Sequence, residues 1–241
     1  MNLSIITVVK NDKRNLEATI KSVLSQNYKD FEYIIFDGMS SDGIESIINT
    51  YKKYNIKYIR KSDKNYYDGL NNAIKKAKGN YVSILNAGDI YYGKNILKIV
   101  MNKILKTRCD LLFSNLKYYD LENKHSRVWK FDILYLNKLS SLKIASPTLF
   151  IKKKIAKAFP YDIKYYISSD TDFNLRISSK KYKFVYLNKF IILMKKGGLS
   201  TRPSLFLKKM LQDLLILKKH FGLFFFIIYF YKILIKTKNF M

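Results

Sequence analysis

One residue in this chain of 241 is cysteine, Cys109. No intrachain disulfide can form, and a cytosolic setting is expected. The only histidines are His125 and His220. Zinc sites built on Cys and His spacing are therefore excluded, and a Ser-His-Asp hydrolase finds no histidine near a suitable nucleophile. Arginines are few and scattered: Arg14, Arg60, Arg108, Arg127, Arg176 and Arg202. Base and phosphate recognition in nucleic acid leans on arginine forks, so nucleic acid is the weakest of the candidate partners. The opening MNLSIITVVKN has no cationic leader and no small-residue cleavage site, so no signal peptide is expected. No Walker loop is present and no GxGxxG follows the first apolar run, which argues against a P-loop nucleotidase and a nicotinamide dehydrogenase.

Acids are also scarce. Against 45 Lys and Arg stand 18 Asp and Glu, a formal net charge of +27 and a pI of about 9.9. Such a balance suits nucleic acid, an anionic membrane or a phosphate-bearing substrate. Codon usage in an AT-rich genome produces the same lysine-rich bias, so charge alone does not choose among them. With 48% hydrophobic residues the chain can bury a real core, enough for one large domain with or without an appendage.

Short apolar runs alternate with helical spacing over the first half. Leu3 to Val9, Tyr33 to Phe36, Lys57 to Arg60, Tyr81 to Leu85 and Leu111 to Phe113 read as strands. Leu16, Ile20, Val23 and Leu24 mark a helix between the first two. Ile44, Ile47, Ile48 and Tyr51 mark the next, then Leu70, Ala73, Ile74 and Ala77, then Leu97, Val100, Met101 and Ile104. Continuous apolar strands between helices predict a mostly parallel sheet buried on both faces. Ligands bind such sheets at the carboxyl ends of the strands. Lys10-Asn11, Asp37 and Asn86 to Asp89 fall there. Residues 115 to 131 read as a polar excursion around the only tryptophan, Trp129. Ser168-Ser169-Asp170 reads as a helix start, and Val185 to Leu187 and Phe190 to Met194 as two strands.

Each acid has an ordinary explanation. Asp37 before Gly38 is a turn former. Asp68 and Asn71 suit a helix start. Asp170 and Asp172 suit a first helical turn facing the dipole.

Taken in order, five pieces resemble the family 2 glycosyltransferases, nucleotide-sugar enzymes of the GT-A fold. They are SIITVVKN, SVLSQNYKDFEYIIFDGMSSDG, SDKNYYDGLNNAIKKAKGNYVSILNAGD, SSDTDFNLRI and KKGGLS. The third matches a subgroup with an LNxGD metal motif. The resemblance runs from Leu3 to about Ser200. It implies an α/β GT-A (Rossmann-like), mostly parallel sheet flanked by helices over 1–200. Residues 1–114 would be the nucleotide-binding half and 115–200 the acceptor half.

The resemblance also implies roles. Asp37 would bind the base or ribose. Asn11, with the backbone of Thr7 and Val9, would line the same pocket. Asp68, Asn71 and Asn86 would border the donor. Asp89 would hold a divalent cation, Mg²⁺ or Mn²⁺, that neutralises the departing diphosphate. Asp170 would be the base that deprotonates the acceptor hydroxyl, with inversion in a single displacement. Asp172 and Arg176 match the same helix and are expected to be structural. This chain departs from the pattern at three places: Gly88 and Ser169 stand where many relatives carry acids, and Ser146-Pro147-Thr148-Leu149-Phe150 lacks a His-Gln pair frequent in the subgroup. The expected donor is a UDP-sugar and the acceptor a saccharide or lipid-linked sugar, in bacterial surface polysaccharide synthesis. One rival is a non-catalytic relative that binds nucleotide-sugar or glycan. The other is a basic nucleic-acid-binding protein, which predicts steeply salt-dependent binding and indifference to Asp89→Ala.

Residues 203–241 change character. Phe221 to Ile235 is strongly apolar but interrupted by Lys232, and it falls short of the about 20 residues that cross a bilayer. With flanking lysines it reads as an interfacial helix or helical pair drawn to anionic lipid, against the alternative of a core or dimer-interface helix. The expected location is cytoplasmic, peripheral at the inner face of the cell membrane.

Overall fold

All seven residues of β1 (Leu3–Val9) are buried. A strand covered on both faces needs apolar side chains on both, and LSIITVV supplies them. Ile5 and Val9 pack with Leu16, Ile20 and Val23 of α1 (Lys13–Leu24) and Leu97, Val100 and Ile104 of α4 (Ile96–Thr107). Ile6 and Val8 point the other way, to Leu70, Ala73 and Ile74 of α3 (Tyr66–Lys76). The period of two in the strand thus divides two helical layers. Parallel neighbours are β2 (Phe31–Asp37) on one side and β4 (Tyr81–Ile84) on the other, with β3 (Ile56–Arg60) parallel beyond β2. Val9 pairs with Asp37 and Asp37 with Arg60, so these strands end at one rim. A short helix, α2 (Ile44–Thr50), connects β2 to β3.

The computed structural model describes residues 1–119, 125–131, 136–198 and 202–238. Its sheet is mixed rather than mostly parallel. After β4 come β8 (Phe150–Lys152), antiparallel to both neighbours, then β6 (Leu111–Tyr119), β9 (Phe184–Lys195) parallel to β6, and β5 (Ile90–Tyr91) antiparallel to β9. The expected excursion at 115–131 is instead a hairpin. Strand β6 continues to Tyr119, and β7 (His125–Trp129) pairs back along it. The two strands expected at 185–194 are one. Ser114 pairs with Leu187 and Asn115 with Phe190, so Asn188 and Lys189 bulge out of a single β9.

The rest of the chain is helical. α5 (Lys153–Ala158) follows β8, and α6 (Ser169–Ser178) precedes β9. The stretch Pro203–Ile235 is, by length and composition, long and apolar enough to cross a membrane. It is not one rod. Gly222 adopts φ 57° between α7 (Phe206–Phe221) and α8 (Phe225–Lys238). Asp213 Oδ1 and Lys232 Nζ then meet at 2.8 Å, whereas a straight helix would hold them about 28 Å apart. The two helices form a hairpin. Ile216 and Leu217 seat it on Leu142, Tyr165 and Leu175.

Candidate functional site

Between the end of β1 and the segment that leads from β3 into α3 lies a cleft of about 130 Å³, lined by Val8, Val9, Lys10, Asp63, Lys64, Asn65 and Tyr66. Asp63 was not expected from the sequence. It lies just past β3, and its carboxylate nests against α3 where Gly69 leaves room: a Cβ there would stand 2.7 Å from Asp63 Oδ2. Burial pushes the Asp63 carboxyl above its ordinary pKa. Lys10 opposes that, and Asp68 and Asp37 reinforce it. The strand-end rule that singled out Asp37 applies equally to Asp63.

Asp37 itself is 1% exposed. Its Oδ1 accepts from the Ser40 N–H at 2.8 Å and the Ser40 hydroxyl at 2.5 Å, and its Oδ2 from the Tyr58 hydroxyl at 2.6 Å. Asn11, at φ 52°, donates its N–H to Ser40 Oγ at 2.9 Å and accepts from the Ser41 N–H at 2.8 Å. These bonds lock the turns after β1 and β2 together. Val9 reaches the cleft, while its carbonyl accepts from the Gly38 N–H at 2.9 Å.

Three expected donor contacts are engaged elsewhere. Thr7 is fully buried inside the sheet and donates to the Leu85 carbonyl at 2.6 Å, which anchors the turn carrying Asn86 to Asp89. Asp68 accepts from the Lys64 N–H at 3.0 Å while Asn65 caps the Tyr67 and Asp68 N–H groups, a reciprocal closure of the helix start. Asn71 spends both ends of its amide on the backbone of Tyr161, at 2.8 and 2.9 Å. Asp68 closes its own helix start, whereas mid-helix Asn71 and strand residue Thr7 are taken by backbone groups of distant segments.

The turn after β4 holds Asp89. Its Oδ1 accepts from the Lys195 N–H at 3.0 Å and its Oδ2 from the Asn86 side-chain amide at 3.0 Å. Burial, at 2% exposure, raises its pKa to about 7 despite those bonds. Gly88 precedes it at φ 93°, with its N–H on Thr19 Oγ1 at 2.9 Å. That conformation suits glycine and would strain any side chain placed there. Among the described residues no three His, Cys, Asp or Glu side chains gather as a ligand cage. A single carboxylate whose pKa is raised by burial fits a divalent cation that takes its remaining ligands from phosphate and water.

Asp170 lies in the first turn of α6. Its Oδ1 accepts from the Thr171 N–H at 2.8 Å, and Ser146 Oγ lies 3.4 Å from its Oδ2. Ser146 belongs to the segment that departs from the subgroup pattern. Tyr66 links this acid to the other. Its hydroxyl donates to Asn86 Oδ1 at 2.6 Å. Burial raises the Tyr66 pKa, and both Asp89 and Asp170 push it further. Burial also raises Tyr118, and the same two carboxylates add to it. Tyr66 and Tyr118 thus sit within the fields of both acids. Neither residue stood out in the sequence, because an aromatic after Asn65 or inside a strand reads as packing. Of the glycine loop KKGGLS, Leu199 and Ser200 lie outside the described residues.

The model of glycosyl transferase family 2 matches residues 4–159. The chain belongs to this family. An uncharacterized glycosyltransferase of Methanocaldococcus jannaschii is 28% identical over 228 residues, 90% of this chain and 79% of that protein. The Escherichia coli UDP-Glc:alpha-D-GlcNAc-diphosphoundecaprenol beta-1,3-glucosyltransferase WfaP is 31% identical over 169 residues, 66% of this chain and 64% of its own length. Among solved structures, Staphylococcus aureus TarS 1–349 in complex with UDP-GlcNAc superposes with a TM-score of 0.73 at 19% identity, covering 90% of this chain and 66% of that one. The fold of this chain is therefore GT-A-like, and the matches span about two thirds of the length of WfaP and of TarS 1–349.

Proposed function

We propose that this family 2 glycosyltransferase transfers a sugar from a UDP-linked donor to a saccharide or lipid-linked acceptor with inversion, working at a membrane surface. What supports the reading is a connected polar set after β4: the Tyr66 hydroxyl donates to Asn86 Oδ1 and the Asn86 amide donates to Asp89 Oδ2, with Tyr66 in the electrostatic reach of both Asp89 and Asp170. A transferase with a nucleotide leaving group needs one base and one neutralised diphosphate. It does not need the two carboxylates that a glycosidase uses.

The nucleoside lies in the cleft between Lys10 and Asp63, on the turns that Asp37, Ser40 and Asn11 hold rigid. The diphosphate points to Asn86 and Asp89. Asp89 would hold the divalent cation, with Asn86 fixing its carboxylate, and the cation supplies charge neutralisation for the departing diphosphate. Asp170 accepts the acceptor's proton as its oxygen attacks the anomeric carbon. Tyr66 and Tyr118 wall the space between them and exclude water.

A lipid-linked acceptor agrees with the acceptor named for WfaP and with the C-terminal hairpin. Leu207, Leu211 and Leu215 on α7 and Phe226, Phe230 and Leu234 on α8 are exposed, whereas Gln212, Asp213 and Lys232 are buried. A contiguous exposed apolar face of this kind is the signature of a surface that meets lipid or a partner.

Calorimetric titration of UDP tests the donor site. We expect binding that requires Mn²⁺, a much weaker response to GDP, and a loss of at least about tenfold in Asp89→Ala, or about 1.4 kcal/mol. Cation-independent binding that survives the substitution would remove Asp89 from the role.

A further inference from the structure

The first turn of α6 carries Asp170, but its own cap does little to hold it. Ser168 occupies the N-cap position and its side chain makes no capping bond. The C-terminal hairpin supplies the partners. Gln212 Oε1 on α7 accepts from the N–H groups of Ile167 at 3.0 Å and Ser168 at 3.3 Å. Lys232 Nζ on α8 donates to Thr171 Oγ1 at 3.0 Å. Lys209 Nζ reaches Ser168 Oγ at 3.4 Å. The residues gripped lie on either side of Asp170.

The grip is built from charges where apolar packing would have sufficed to join two elements. Lys232 is 6% exposed and Asp213 3%. Asp213 receives Lys232 at 2.8 Å and Lys209 at 3.2 Å. Removing such groups from water costs several kcal/mol per ion, and a well-packed apolar set of equal volume is often as stable. What the ion pair adds is direction: a buried ammonium on a fixed hydrogen bond holds Thr171 at one distance. Lys232 also lies within the electrostatic reach of Asp170.

We propose that Lys232, set in place by Asp213, is a positioning residue that aims the base-bearing turn of α6 into the cleft, so that the C-terminal hairpin is part of the catalytic apparatus. This rests on Asp170 being the base. Lys232 touches neither donor nor acceptor. It acts through Thr171.

The test compares full-length wild type with Lys232→Met, Lys232→Arg, Thr171→Val and Asp170→Asn. Three quantities are read: UDP affinity, the rate of UDP release from UDP-glucose and UDP-N-acetylglucosamine with Mn²⁺, and amide hydrogen exchange of residues 166–174. In Lys232→Met we expect kcat for UDP release to fall roughly ten- to a hundredfold, with donor KM and UDP affinity unchanged and exchange in the α6 turn faster. Lys232→Arg restores most of the rate. Thr171→Val, which removes only the hydroxyl that Lys232 reaches, gives the same selective loss. A Lys232→Met protein with native exchange and native kcat overturns the proposal. So does a loss shared equally by UDP affinity and kcat that arginine does not rescue, since that is general destabilisation. If Asp170→Asn loses UDP release while Lys232→Met and Thr171→Val keep it, Asp170 stands as the base and the positioning role falls. If all of them release UDP like wild type, the reading of Asp170 falls and takes this one with it.

Discussion

At the scale of single residues the informative positions are those where local chemistry and ligand chemistry compete for one side chain. Asp68, Asn71 and Thr7 could be picked out as candidate donor residues, but not as residues whose side chains already have partners in the protein. The backbone N–H groups of a helix start, or a neighbouring carbonyl, satisfy them first. Gly88 shows the converse. The missing acid before Asp89 looked like a departure from the pattern, and it is a backbone requirement. At φ 93°, and with Lys195 Cδ 3.0 Å from where a Cβ would stand, an acid cannot simply be put back. Gly88→Asp should therefore lower stability by about 1–2 kcal/mol from the left-handed conformation alone, without tightening Mn²⁺-dependent UDP binding. A thermal melt paired with the calorimetric titration checks both halves. An unchanged melting temperature with tighter binding would show that the turn tolerates a second carboxylate.

At the scale of elements, the alternation of strands and helices over the first hundred residues was legible because β1, β2 and β4 are buried on both faces and the helices between them carry apolar stripes. The two antiparallel insertions were not. β5 has two residues and β8 three, too few for any period to show. Helix α6 was legible as a helix start; helical position alone does not tell its acids apart, the resemblance assigns Asp170 and Asp172 different roles, and the structure gives them different surroundings. Among the described residues Asp170 bonds only Thr171 and Ser146 through its side chain and lies within the electrostatic reach of Tyr66, while Asp172 is 0% exposed and caged by Arg176 at 2.7 Å, Lys219 at 2.8 Å and His220 at 2.9 Å. Burial alone would raise the Asp172 carboxyl, but hydrogen bonds from His220, Lys219 and Arg176 outweigh it and hold its pKa well below the ordinary range. A depressed folded-state pKa means that the unfolded chain takes up the proton first on acidification. The stabilisation is complete above the unfolded carboxylate value of about 4 and is lost as pH falls from there toward the folded value. Asp172→Asn should thus cost about 3–5 kcal/mol at neutral pH, the usual price of stranding a buried partner. The gap to wild type should close in urea melts below about pH 4. A gap that stays constant across that window would assign the cage no electrostatic role.

At the scale of the whole molecule, the feature hardest to read from sequence is which way the last helices face. Leu207, Leu211 and Leu215 recur every four residues, as a core stripe does, and nothing in that spacing says whether protein or lipid covers them. The hairpin answers by inversion. Gln212, Asp213 and Lys232 sit on its inner face beside the buried Ile216 and Leu217, while Leu207, Leu211, Leu215, Phe226 and Phe230 are left outside. Exposed Lys208 and Lys218 on α7 add positive charge beside that apolar face, on a chain of net charge +27. Together these favour an anionic lipid surface over a neutral one. Vesicles containing anionic phospholipid should sediment the protein, and neutral vesicles should do so less well. Raising salt should weaken binding without abolishing it, because each apolar side chain taken up by lipid contributes about 1.5–3 kcal/mol that salt does not screen. Replacing Leu211, Leu215, Phe226 and Phe230 together by serine should release the protein from vesicles while leaving Mn²⁺-dependent UDP binding intact, since none of the four lines the cleft. The competing occupant of this face is a second copy of the chain. It predicts a stable dimer in solution, dissociated by the same four substitutions, and no vesicle binding by the wild-type protein. Because the inner face of the hairpin holds the turn that bears Asp170, lipid contact and chemistry are joined through one element. Vesicles should therefore raise the rate of UDP release by wild type and leave the four-serine variant unaffected.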